Sequence, residues 1–422
     1  MATAGSIQDH LNAGMRARQS GRTSEARRHF EAVIALDPTQ PVARNVLGLD
    51  AIANGDLRAG ADHLEHACRG DPNAPELWIN LSSAYKALEN ADAERAALEK
   101  ALALDQRYLP ALVRVAELHE RLGQDAAAAE RWSNVLAVTA SLDQSSPEMQ
   151  QLLTHARDYV ARQREGLASA LEKALADDLA TASTRENRRV HAAADVMSGR
   201  RRVFVNECHG LHYPFLPADE FFDRDHFPWL EQLEAGTDEI RRELRAILAN
   251  PDPGLLPYIT QPSGVPKNKW TPLDRSLDWS ALHLWFDGNR VDEACARAPK
   301  TAALVDQLPL CRIRGRAPAV FFSILRAGKH IPPHTGVTNV RSIVHLALIV
   351  PEGCTFRVGG ETRPWVEGEA FVFDDTIEHD AHNPTAEDRA VLIIDTWNPY
   401  LGETERTAIC RMYEVVDAQQ IR

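Results

Sequence analysis

The stretch PPHTGVTNVRSIVHLALIV, residues 332–350, decides how the second half of this chain is read. Its first part, Pro-Pro-His-Thr-Gly, carries His334 just after a strand and a Gly-containing loop. Its last part, 342–350, is a run of Ile, Val and Leu bounded by turn residues, the pattern of a buried strand. Outward from it, 320–325, 371–373 and 391–396 have the same character. Pro351-Glu352-Gly353, Gly359-Gly360 and Glu367-Gly368 mark the turns between them. Short strands at this spacing predict a sandwich or jelly roll. Residues 215–310 are mixed, with a helical stretch near 238–248.

A second histidine, His379 in FDDTIEHD (373–380), follows another of these strands. The 45 residues from His334 to His379 hold three strand-like runs, enough to go round a small barrel and return. Two imidazoles on separate strands suit an Fe(II) site, which normally adds a carboxylate two residues after the first His. That position is Gly336. The metal would then have two protein ligands, unless Asp380 or another carboxylate swings in. A histidine in a loop reads equally well as a solvated or hydrogen-bonded side chain.

Ser323, Arg341, His345 and Arg389 lie in strands or strand ends around the same barrel. A dicarboxylate co-substrate needs a fixed cation, and Arg grips a carboxylate through two parallel hydrogen bonds. Arg389 opens a buried strand ten residues after His379. It reads equally as a surface residue paired with Glu387 or Asp388.

The first third is periodic. Asp37, Asp71 and Asp105 are 34 residues apart, Pro38 and Pro72 follow the first two, and Gly21, Gly55 and Gly123 keep the same spacing. Phe30, Leu64, Leu98 and Trp132 recur with it, as do Gly14 with Gly48, Ala26 with Ala128, and Ala67 with Ala101. Trp78, Leu81 and Tyr85 stand at helical spacing and are read as packing, not as a ligand site. The unit resembles the tetratricopeptide repeat, two antiparallel helices that bury an apolar face only by stacking. Four units cover about residues 5–138. Such a solenoid offers a groove for a peptide or protein; a helical spacer or dimerisation arm is the other reading.

From 142 to 194 the pattern stays helical without the period. Ser145-Ser146-Pro147-Glu148 predicts a cap and the first turn of a new helix. Arg185, Arg188, Arg189, Arg200, Arg201 and Arg202 form a basic run, read as a solvated helix face. The expected domains are a repeat solenoid (1–140), a helical linker (141–200) and a β-rich domain (201–422).

Composition fits this picture. Apolar residues make up 44% of the chain and charged residues 25%, as in globular proteins. A net charge of −13 argues against nucleic-acid binding, which needs clustered Lys and Arg. The N-terminal MATAGSIQDH lacks the basic start and apolar run of a secretory signal, and no apolar run is long enough for a bilayer. Cys68, Cys208, Cys295, Cys311, Cys354 and Cys410 are scattered without a CxxC pair, so a reducing, cytoplasmic setting is expected.

Residues 322–401 resemble the aspartyl/asparaginyl β-hydroxylase family of 2-oxoglutarate oxygenases. The resemblance is carried by Phe322-Ser323-Ile324, by Pro333-His334-Thr335-Gly336-Val337-Thr338-Asn339 and by Val344-His345-Leu346. It continues through Pro351-Glu352-Gly353-Cys354, Phe373-Asp374-Asp375, Glu378-His379, Arg389 and Asp395-Thr396-Trp397-Asn398-Pro399. Upstream, Phe215-Leu216-Pro217 and Phe227-Pro228-Trp229-Leu230-Glu231 extend it to about residues 203–402.

The resemblance implies a double-stranded β-helix (jelly roll) with flanking helices and a two-histidine iron site at His334 and His379. It implies 2-oxoglutarate contacts from Ser323, His345 and Arg389, with O2 as the second co-substrate. Some members carry an Arg two residues before the second of these; here that residue is Ile343, and Arg341 is the candidate replacement. The activity implied is hydroxylation of aspartyl or asparaginyl residues in a peptide or protein held with help from the repeats. The same chemistry on a lipid or small molecule, and a catalytically silent scaffold, are the alternatives.

Overall fold

A computed structural model describes residues 4–420; residues 1–3 and 421–422, inside the expected first and last domains, lie outside the described residues. Two compact units meet at Asp178 and Leu179, so the segment 141–200 is shared between them. Among the described residues no helix is long and apolar enough to cross a membrane.

The first unit is a helical repeat array. Its helices pair as α1 (Ala4–Gln19) with α2 (Thr23–Leu36), α3 (Pro41–Ala53) with α4 (Leu57–Gly70), α5 (Pro75–Ala87) with α6 (Ala91–Leu104), and α7 (Leu109–Arg121) with α8 (Asp125–Thr139). The period in Asp is a turn device: Oδ1 of Asp37, Asp71 and Asp105 accepts the N–H two residues on, at 3.0, 3.1 and 2.8 Å. The period in Gly is a backbone requirement. Gly21, Gly55 and Gly123 have φ of 73°, 86° and 66°, and the missing member of the series is Glu89, held at 58°.

Phe30, Leu64, Leu98 and Trp132 are buried at the centres of successive pairs. A ninth helix, α9 (Pro147–Leu179), starts where the sequence sets its cap, with the Met149 N–H donating to Ser146 Oγ at 3.1 Å.

The second unit begins with α10 (Thr184–Met197), opened by a capping box of Ser183 and Glu186. Here Arg185, Arg189, Arg200 and Arg202 of the basic run are exposed, as a solvated face would be, while Arg188 and Arg201 are half-buried, and several of the six are paired. Arg185 pairs with Asp223, and Arg201 pairs with Glu220. Arg188 reaches Glu361 at 2.9 Å and donates to the Phe221 carbonyl at 2.7 Å. These arginines tie α10 and the segment after it to residues 220–223 and, far along the chain, to Glu361. Sequence spacing shows the charge but not its distant partners.

Chain order continues through α11 (Leu230–Ala235), α12 (Thr237–Leu248), β1 (Leu256–Pro257), β2 (Trp279–Phe286), β3 (Asn289–Arg290), α13 (Asp292–Arg297) and α14 (Pro299–Val305). Eight strands follow: β4 (Val320–Leu325), β5 (Lys329–His334), β6 (Arg341–Ile349), β7 (Thr355–Val358), β8 (Glu361–Pro364), β9 (Ala370–Phe373), β10 (His379–Asn383) and β11 (Arg389–Trp397). The helix α15 (Glu403–Gln420) closes the unit.

The strands form two antiparallel sheets. One runs β1-β2-β4-β11-β6-β9 with β3 beside β2, and the other runs β5-β10-β7-β8. From β4 onward the chain passes back and forth between them. Four strands, β6 to β9, separate the two histidines rather than three. The hairpin β7–β8 around Gly359-Gly360 is too short and too polar to stand out as a strand pattern.

Two apolar layers hold the unit. Val344, Leu346, Leu348, Leu392 and Ile394 face Leu233, Ile240, Leu244 and Val305 of the helices. Ile343, Ala347, Val391 and Ile393 face Ile331, Phe356 and Ala381 of the smaller sheet. Covering β6 and β11 on both sides explains why their sequences are almost unbroken apolar runs. The polar residues on the inner row include His345, Arg389 and Asp395, all three buried, and the half-buried Arg341.

Candidate active site

The pairing of β5 with β10 makes His334 and His379 direct cross-strand partners, and their ring centroids are 4.1 Å apart. His334 ends its strand and His379 begins one, so neither lies in a loop. That β5 runs up to and includes His334 was hidden by Pro332 and Pro333, which are tolerated because β5 is the edge of its sheet. A register shift between His379 and Ala381 sits at the same point, and such bulges re-aim side chains beside functional sites.

Both rings are oriented alike. Nδ1 of His334 meets the carbonyl of Pro332 at 2.8 Å, and Nδ1 of His379 meets that of Ile377 at 3.0 Å. With Nδ1 so engaged, Nε2 is the nitrogen each ring can offer to a metal. Burial lowers His334 to about 4; burial, then the neighbouring His334, holds His379 well below the usual imidazole value. Both are therefore neutral at physiological pH, the form that ligates.

Among the described residues no group of three or more His, Cys, Asp or Glu side chains is placed to hold a metal. Asp380 does not turn toward the pair: it is bound to Arg357 and lies 3.5 Å from His330. A carboxylate that does line the cavity with the pair is Asp375. Its carbonyl accepts the Gly336 N–H at 2.6 Å, and a Cβ at 336 would overlap its carboxylate. Its Oδ1 is buried without a hydrogen-bond partner, and burial pushes its pKa up to about 7. The preceding Asp374 shapes this turn by accepting from the N–H and hydroxyl of Thr376 at 3.0 and 2.6 Å. Asp375 was part of the sequence pattern but carried no role there, because nothing in its spacing reveals that it folds back onto Gly336.

Arg389 is 1% exposed, and its Nε and Nη1 have no hydrogen-bond partner. The alternative of a surface residue paired with its neighbours is overturned: Asp388 binds Arg326 instead. Its guanidinium lies over the Trp365 ring at 4.8 Å, and burial lowers its pKa to about 10. It remains a cation at neutral pH. His345 is buried nearby with Nδ1 also unpartnered, its pKa lowered by burial and then by Arg389. Ser323 is buried and accepts from Trp279 Nε1 at 3.1 Å.

Arg341 differs from these. Its Nη1 donates to Asp395 Oδ2 at 3.0 Å, and its Nη2 lies 4.0 Å from Asp375.

All six candidate residues line one cavity of about 240 Å³, together with Asp375 and Asp395. Tyr258, Trp270 and Trp279 form a further wall: Tyr258 stacks on Trp279 at 4.0 Å, and Trp270 meets the His334 ring edge-on at 5.1 Å. These aromatics come from the segment the sequence reading left as mixed.

Residues 234–399 match the family Aspartyl/Asparaginyl beta-hydroxylase, and residues 75–108 match a tetratricopeptide repeat. The chain is 32% identical over 216 residues to the ornithine lipid ester-linked acyl 2-hydroxylase of Rhizobium tropici, covering 49% of this chain and 73% of that one. The chain belongs to the aspartyl/asparaginyl β-hydroxylase family. Human aspartyl/asparaginyl beta-hydroxylase is 39% identical over 151 residues, which are 34% of this chain and 19% of the human one. Human aspartate beta-hydroxylase domain-containing protein 2 is 33% identical over 200 residues, covering 46% and 52%. The chain thus spans about a fifth to a quarter of the length of these mammalian β-hydroxylases, and the family match at residues 234–399 lies in the β-rich unit of this family member.

Proposed function

We propose that this family member is an Fe(II)- and 2-oxoglutarate-dependent hydroxylase built on a double-stranded β-helix. The passage of β4 to β11 between two sheets supports the fold reading. The observation that carries the function is one cavity with a neutral histidine pair on one wall and a buried, unpartnered guanidinium on another.

The residues present fit the absent groups. His334 and His379 would hold the iron through Nε2. Arg389 would take the distal carboxylate of 2-oxoglutarate, since a buried cation with two free N–H groups is costly until an anion arrives. His345 and Ser323 would complete that end. Arg341 is not retained as a co-substrate contact, because its guanidinium is already held by Asp395. The bound iron supplies O2 chemistry, for the balanced reaction R–H + 2-oxoglutarate + O2 → R–OH + succinate + CO2. What the chain itself does is orient the two carboxylate ends, keep both imidazoles neutral and exclude water from an aromatic-walled cavity.

The substrate reading supported by the family is an aspartyl or asparaginyl side chain of a polypeptide, with the repeat groove contributing to binding. The Rhizobium tropici relative, over 73% of its length, favours a second reading in which a lipid carries the C–H bond. Anaerobic Fe(II) titration followed by succinate release from 2-oxoglutarate tests the shared chemistry. One iron per chain and succinate formed only with iron and O2 are expected; tight 2-oxoglutarate binding without any metal dependence would sink the reading.

A further inference from the structure

Behind the Arg389 end of the cavity stands a residue that does not line it. Trp365 lies in the link from β8 to β9, where the chain crosses from the smaller sheet to the larger. It is buried, and it packs against Phe356 of β7 at 5.3 Å and Phe371 of β9 at 6.3 Å, so both sheets fix the ring. The Arg389 guanidinium carbon lies over this ring, 4.8 Å from its centroid. The His345 ring lies nearly parallel to it, at 6.1 Å with 14° between the planes. Trp365 thus touches two of the three side chains assigned to 2-oxoglutarate without reaching the cavity itself.

Two observations make this contact more than filling. Arg389 Nε and Nη1 are buried with no acceptor, so no hydrogen bond from either fixes the guanidinium. Its thiol neighbour Cys354 is engaged elsewhere, donating to Asn383 Oδ1 at 3.3 Å. What remains is the indole face, whose π electrons attract a cation, and most strongly where water is excluded. The second observation is the Trp365 Nε1 N–H, which is buried without an acceptor. A buried Trp normally finds a partner for that group, and an apolar side chain would fill the space without orphaning a donor. The ring gives the fold a face, at the cost of an unpaired N–H.

We propose that Trp365 is a positioning residue of the 2-oxoglutarate site. Its face holds the Arg389 guanidinium in one orientation and carries the His345 ring beside it, so the free Arg389 N–H groups are set before the co-substrate arrives. Such preorganisation spares the cost of ordering a long side chain on binding. The inference rests on the hydroxylase reading and adds to it a residue outside the cavity wall.

The test uses the full chain with Mn(II) in place of iron, calorimetry giving the affinities for Mn(II) and for 2-oxoglutarate. Trp365→Leu removes the face and is expected to weaken 2-oxoglutarate by about tenfold, leaving Mn(II) affinity within about twofold. Trp365→Phe keeps a face with a weaker pull on a cation, and its 2-oxoglutarate affinity should fall between the two. In an Arg389→Met background, Trp365→Leu should cost less than about twofold, because the group it positions is gone. In the metal-free, unaltered protein the Arg389 Nε proton, assigned by its loss in Arg389→Met, should resonate upfield of an ordinary guanidinium N–H through the ring current. That reading needs no variant at Trp365 and decides the matter even if Trp365→Leu melts early.

Unchanged 2-oxoglutarate affinity in Trp365→Leu, equal losses for Mn(II) and 2-oxoglutarate, no recovery with Phe, an undiminished effect without Arg389, or an Nε proton at its ordinary position each overturns the inference. Binding of 2-oxoglutarate that ignores Trp365 defeats the inference alone. No binding by the unaltered chain at millimolar concentration defeats the underlying reading, and the inference with it.

Discussion

The carboxylate of Asp375 lies in the space that a side chain on Gly336 would fill. In the common three-ligand iron site that space belongs to an acidic residue two positions after the first histidine. Here the strand end leaves it open, and a turn forty residues on brings a carboxylate beside it instead, anchored by the Gly336 N–H. The glycine therefore has a packing reason that is independent of backbone strain.

Gly336→Ala should accordingly lower stability, because its methyl group must push the Asp375 carboxylate aside in a close-packed interior, typically at about 1–3 kcal/mol. Gly336→Asp should be worse, placing two acidic groups in one buried spot. Pairing it with Asp375→Gly removes the overlap and should recover most of the thermal midpoint. If Gly336→Asp alone melts with the unaltered protein, Asp375 is not where the structure puts it.

Metal binding should resist acid. A depressed base stays neutral to lower pH, so with His334 near 4 and His379 well below the usual imidazole value, protons compete with the metal at His334 only toward pH 4. For ordinary imidazoles that competition sets in near 6.5. Mn(II) occupancy measured by paramagnetic relaxation should be flat from neutral pH down to about 5.5. A midpoint near 6.5 would mean that the rings are solvated. His334→Ala and His379→Ala should each abolish the occupancy, since two ligands leave no redundancy.

How much of this was legible depends on what kind of signal each residue gives. The repeats were readable because a period in Asp, Gly and apolar residues is a one-dimensional property. So were β6 and β11, whose burial on two faces writes itself as an apolar run. β5 and the β7–β8 hairpin were not, because an edge strand with two prolines and two four-residue strands lack that pattern. The histidine pair was visible as a pair of types, but their contact is a register fact. The partners of Arg188, Arg341 and Asp375 lie 173, 54 and 39 residues away (Glu361, Asp395 and Gly336), and no local pattern encodes such distances.

The solenoid makes its own prediction at Glu89. Three of the four within-pair turns place glycine at positive φ, and the third places Glu89 at 58°. A side chain there costs about 1–2 kcal/mol against the Cβ–carbonyl crowding, while glycine costs about 0.5–1 kcal/mol in unfolded-state entropy. Glu89→Gly should therefore stabilise the repeat unit by roughly 0.5–1 kcal/mol, read as a higher urea midpoint at constant slope. A lower midpoint would show that the Glu89 side chain makes a compensating contact.

Arg389→Met should separate stability from function. The guanidinium is buried with Nε and Nη1 unpartnered and its pKa depressed by burial, so without co-substrate it is a net cost to the fold. A methionine of similar length removes that cost and packs against Trp365, which the guanidinium now covers at 4.8 Å. The ligand-free variant should thus melt higher than the unaltered protein. The same change removes the charged hydrogen bonds to a bound carboxylate, weakening 2-oxoglutarate by about 1.5–3 kcal/mol. Arg389→Lys should recover only part of that affinity, since an ammonium cannot present two parallel donors. The two effects have opposite signs, and that is what gives the test its force. A residue with a purely structural role would lose stability on replacement and leave co-substrate affinity untouched, so a lower midpoint with unchanged 2-oxoglutarate binding would remove Arg389 from the site.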